Sequence, residues 1–74
     1  MKLEYIAELI HGNGQITLGT VGPAECAAVA SDEARCLAML VRHPGESLTA
    51  LLMRLDAAIE AAVDRNEIID EING

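Results

Sequence analysis

The chain has 74 residues, 51% of them hydrophobic, a net charge of −7 and one aromatic side chain, Tyr5. That length allows one domain at most, and so short a chain buries only about 60–65% of its unfolded surface. The five basic residues, Lys2, Arg35, Arg42, Arg54 and Arg65, are scattered among 12 acids. They form none of the cationic clusters that binding to nucleic acid or an anionic membrane depends on.

The apolar volume comes from Leu, Ile, Val and Ala, and alanine buries little area. Small domains of this kind are usually reinforced by disulfides, a metal or oligomerisation. More side chains are apolar than one small interior can cover, so self-association is the expectation.

In chain order, the opening MKLEYIAELI carries Glu4 and Glu8 within its apolar run, which argues against a signal peptide. No stretch approaches the roughly 20 apolar residues of a membrane span, and the expectation is a cytoplasmic protein. Leu3, Ile6, Ala7 and Ile10 would share a helical face, and Lys, Leu, Glu and Ala favour helix. Against that, HGNG before QITLGTV is a hairpin signal, and Tyr5 and Ile6 suit strands.

Residues 15–21 alternate, with Ile16, Leu18 and Thr20 on one face and Gln15, Thr17, Gly19 and Val21 on the other. Such a strand needs a ladder partner. Either residues 3–10 supply it, or the same strand of a second chain does. A β-hairpin over 3–21 is expected, because it pairs the strand locally.

Pro23 can open a helix at its first position, and Ser31 can cap a second segment with Asp32 and Glu33 in its first turn. Ala34, Leu37, Ala38 and Val41 line one face of that segment. The pattern predicts helix over 23–43, ended by Pro44-Gly45. Cys26 and Cys36 sit among alanines and leucines and are read as buried, reduced thiols.

Ser47 is the expected cap of a long amphipathic helix, and Asn66 its end, over 47–66. Leu48, Leu52, Leu55, Ile59 and Ala62 recur at alternating spacings of four and three, with Leu51, Ala58 and Val63 flanking them. Thr49, Asp56, Glu60 and Asp64 make the opposite face. An acidic tail, residues 67–74, follows.

The run RHPGESLTALLMRLDAAIEAA with the ending DEING resembles the C-terminal half of small uncharacterised bacterial proteins. These share a Gly-Glu-Ser/Thr-Leu turn, a Leu-rich helix and an Asp-Glu-Ile-Asn tail, and the resemblance covers about residues 42–74 and implies no activity. A second resemblance is to ribbon-helix-helix repressors, through the order QITLGTV, helical segment, GESLTALLMRLDAAI. Gly45 and Ser47 match the turn of that family. The resemblance implies a dimer whose outward ribbon positions are Gln15, Thr17 and Gly19, none of them basic.

His11, Cys26, Cys36 and His43 lack metal-ligand spacing. Ser31 and Ser47 are explained as caps. The glycines are followed by no Lys-Ser/Thr, so they make no phosphate loop. No cofactor, no metal and no catalytic residue is expected.

Taken together, the residues predict a single small α+β domain over 1–74: an N-terminal β-hairpin, then two or three helices, the last one long and amphipathic. The expected function is a small non-enzymatic homo-oligomeric protein-interaction module, a homodimer through Leu48, Leu51, Leu52, Leu55 and Ile59. A basic protein is a possible partner; nucleic acid and membrane are not. The alternative is a ribbon-helix-helix-like transcriptional regulator or antitoxin.

Overall fold

A computed structural model describes residues 2–73. The elements run α1 (Glu4–His11), β1 (Gln15–Val21), β2 (Ala24–Ser31), β3 (Cys36–Val41), α2 (Leu48–Arg65) and β4 (Ile69–Asp70). The strands form one four-stranded sheet in the order β1-β2-β3-β4. The first two pairings are antiparallel, and β3–β4 is parallel. The class is α+β, but the expected hairpin followed by two or three helices is wrong. A short helix comes first, three strands follow, and one long helix precedes the tail.

Residues 3–10 do not form the first arm of a hairpin. Their helical face is used: Ile6 is buried, and Leu3, Tyr5 and Leu9 pack beside it. The local cap is missing, because Leu3 at the N-cap makes no side-chain bond. Asp56 supplies it from α2: its Oδ1 accepts the Tyr5 and Ile6 backbone N–H groups at 2.9 and 3.0 Å. A carboxylate there satisfies two of the unpaired donors of a helix start and suits the helix dipole. The Tyr5 hydroxyl donates to Asp64 Oδ2 at 2.8 Å. That bond, burial and the nearby acids push the phenol up to about 12.

His11-Gly12-Asn13-Gly14 therefore links helix to strand. Asn13 takes φ 68. A Cβ on Gly14 would stand 2.7 Å from the Leu9 carbonyl oxygen, so only glycine lets β1 leave α1 this closely.

The strand expected at 15–21 is present, and its ladder partner is β2 rather than residues 3–10. The two are joined by Gly22-Pro23. Gly22 has φ 54, and proline holds the next residue near −65°, the sign pattern of a tight hairpin turn.

Residues 23–43 are the larger correction: the expected helix is the pair β2 and β3. Ser31 and Asp32 belong to the hairpin between them. Asp32 Oδ1 accepts the Ala34 and Arg35 N–H groups, both at 2.8 Å, which holds the carboxyl below its usual range. Alanine's helix preference is worth only a few tenths of a kcal/mol per residue over most others. A second ladder and close burial outweigh it here. Ala28, Ala30 and Ala38 are fully buried under the helices, and their small side chains let α2 approach the sheet.

The long helix is where it was expected. Ser47 Oγ accepts the Ala50 N–H at 3.0 Å, and Asn66 ends the helix in the left-handed conformation. Leu51, Leu55, Ala58, Ile59 and Ala62 meet Ala28, Ala30, Leu37, Ala38 and Leu40 in one core beneath both helices. In the tail, β4 runs beside β3, the Glu71 N–H donates to the Met39 carbonyl, and Asp70 Oδ1 accepts from Ile72 and Asn73. Cys26 is half-buried against the core, whereas Cys36 is exposed. Cys36 begins β3 beside the bulge opposite Ser31.

Candidate functional site

Strand alternation assigns the residues of β1–β3 to two faces. One, with Ile16, Cys26, Ala28, Ala30, Ala38 and Leu40, is covered by the helices. The other is crossed by two rows of paired residues: Thr17, Val29 and Met39, then Gly19, Ala27 and Val41. Among the described residues no helix packs on these rows, and they carry no charge. Thr17 is exposed, Gly19, Val29, Met39 and Val41 are half-buried, and Ala27 is fully buried. Acids stand at the margin, with Asp70 beside Met39 and Glu25 near the β1–β2 turn.

The five residues expected at a dimer interface are mostly used inside the chain. Leu51, Leu55 and Ile59 are 0%, 0% and 1% exposed, and Leu52 packs half-buried against the same core. Leu48 alone is exposed, at 47%. The stripe is real, but the partner it finds is this chain's own sheet. Exposed apolar side chains are spread over the surface: Leu48, Met53 and Val63 on α2, Ile68 and Ile69 in the tail, and Leu18 and Ile10 at the β1 end, the last two at 44% and 55%. A signal for the open face was present in AECAAVAS and CLAMLV. Apolar residues occupy both parities there, as in strands flanked on both sides.

The densest polar cluster is built on Arg54. Its guanidinium makes a two-pronged contact with Glu46, Nε to Oε2 at 2.7 Å and Nη2 to Oε1 at 3.0 Å. It also reaches the Val41 carbonyl at 2.9 Å and Glu71 Oε2 at 3.1 Å. Glu46 further accepts the His43 N–H, and Glu71 the Val41 N–H. Arg54, then the His43 N–H, hold the Glu46 carboxyl down to about 2. Every charged group in this cluster has a protein partner, so it ties α2, the end of β3 and the tail together. Beside it a groove of about 280 Å³ has an alanine floor, Ala57, Ala58 and Ala61, between Arg54 and Arg65.

A shallow depression of about 530 Å³ brings Cys26 and His43 onto one wall with Glu25 and Arg42. Nucleophilic catalysis needs a base within hydrogen-bond reach of the thiol. Here Cys26 packs against the core, and His43 Nε2 lies 3.9 Å from Glu71 Oε1, towards the tail. Among the described residues no three His, Cys, Asp or Glu side chains are grouped to hold a metal ion, and no helix is long and apolar enough to cross a membrane.

The segment that the ribbon-helix-helix order requires as its first helix is here the β2–β3 pair. Compared with known proteins, the chain matches no family model, no curated protein and no solved structure.

Proposed function

We propose that the protein is a small non-enzymatic interaction module. It works as a homo-oligomer in the cytoplasm and offers the open face of its sheet to a protein partner. The observation that carries this reading is that face: two uncharged rows, Thr17-Val29-Met39 and Gly19-Ala27-Val41, with acids at the margin and no helix above. Apolar surface left in water is a standing driving force for association. The acidic margin and the net charge of −7 favour a basic partner and oppose binding to duplex DNA. The non-enzymatic part is supported by the Arg54 cluster, whose charges are spent on one another. A reducing cytoplasm suits the two free thiols.

Light scattering coupled to size-exclusion chromatography tests the self-association. The expected mass is twice the 7.8 kDa of one chain at micromolar concentration. A single-chain mass up to near-millimolar concentration would overturn the reading.

A further inference from the structure

We propose, resting on the homo-oligomeric reading above, that two copies join through the outer edge of β1. The two β1 strands run antiparallel about a twofold axis at Thr17, so that the two sheets continue as one.

The two edges of the sheet differ. The β4 edge is two residues long, includes Asp70 and runs straight into a turn. The β1 edge is seven residues long, Gln15–Val21. Exposed edges are normally kept from pairing by charges, prolines or shortness. Gln15–Val21 contains no charge and no proline. Its one irregularity, a register shift between Gly19 and Val21, leaves Gln15–Gly19 regular. The centre of that regular stretch is Thr17.

The occupant is a second copy for three reasons. An antiparallel strand pair is self-complementary, as a twofold interface requires. The charge pattern also selects the place: residues 9 to 24 contain no Asp, Glu, Lys or Arg, the longest such run in the chain. Two molecules of net charge −7 meet there with the least repulsion. Finally, the edge has apolar side chains that its own helices leave uncovered. Leu18 lies on the helix-covered side of β1 yet is 44% exposed, and Ile10 at the end of α1 is 55% exposed. A twofold axis at Thr17 sets Ile16 of each copy opposite Leu18 of the other on the helix side. It leaves the open face with Val29 and Met39 free and extends it across both copies.

The test compares Leu18→Lys, at the edge, with Val29→Lys, on the open face, in the full-length chain. Leu18→Lys should halve the mass at micromolar concentration and keep the helical circular dichroism, while Val29→Lys should keep the dimer. A wild-type dimer that survives Leu18→Lys and is lost with Val29→Lys would overturn the edge pairing and leave the module reading standing. A wild-type monomer would remove both. Amide hydrogen exchange on the unmodified chain gives an answer independent of any variant. At dimer-forming concentration, the alternate N–H groups of Gln15–Gly19 that β2 does not use should be slowed at least about tenfold relative to dilute protein. Unchanged exchange in a chain that dimerises would overturn the pairing.

Discussion

Replacing Leu55 by alanine separates a core leucine from an interface leucine. Leu55 is 0% exposed within one chain and lies in the cluster shared by α2, α1 and the sheet. The change removes three carbons, a transfer loss of about 2.4 kcal/mol at about 0.8 kcal/mol each. A partly unrelaxed cavity raises this to about 3 kcal/mol. A domain of this length has about 4–11 kcal/mol to lose, so the substitution removes a large part of the total. The melting temperature should fall by roughly 12–24 °C. Leu48→Ala, at a half-exposed position on the same helix, should change stability by no more than about 0.5 kcal/mol. Thermal and urea unfolding followed by circular dichroism, with the mass measured in parallel, is the assay. A Leu55→Ala protein that melts like the wild type but has half its mass would place Leu55 at an interface and refute the packing described here.

Acid should loosen the Arg54 cluster. The Glu46 carboxyl is held at about 2 in the folded chain against an ordinary 4.5. Its contribution is therefore complete above about pH 4.5 and is lost as pH falls towards 2. Glu46→Gln should flatten the urea midpoint across that window, and an unaltered pH slope would count against the cluster. Asp56→Ala removes the cap of α1 and should cost about 1 kcal/mol; faster amide exchange at Tyr5 and Ile6 is the specific readout. Tyr5 is the only tyrosine and the chain has no tryptophan, so its ionisation can be followed by ultraviolet absorbance. The midpoint should lie at about 12 and drop towards 10 in Asp64→Asn. A folded wild type titrating at 10 would show that the bond to Asp64 is not made.

Local signals were enough for α2 and β1. The α2 helix combines a serine that caps it, an asparagine that ends it and an apolar period close to 3.6 residues. β1 is an alternating run between glycine turns. Both can be read because each is settled by groups within a few residues.

The remaining elements were decided by groups far away in the chain. α1 is a helix because Asp56, fifty positions from Ile6, caps it, and no local residue does. The alanine-rich stretch from 24 to 41 has apolar residues on both parities, so its period does not separate strand from helix. It becomes two strands because β1 offers a ladder on one side and the apolar stripe of α2 needs a surface of small side chains. The same stripe looked like an interface because amphipathicity shows that a face must be covered, not by what. Leu51, Leu55 and Ile59 are covered by this chain's own sheet. The surface left over for another molecule was settled only when the strands had paired and the helices had taken one side of them.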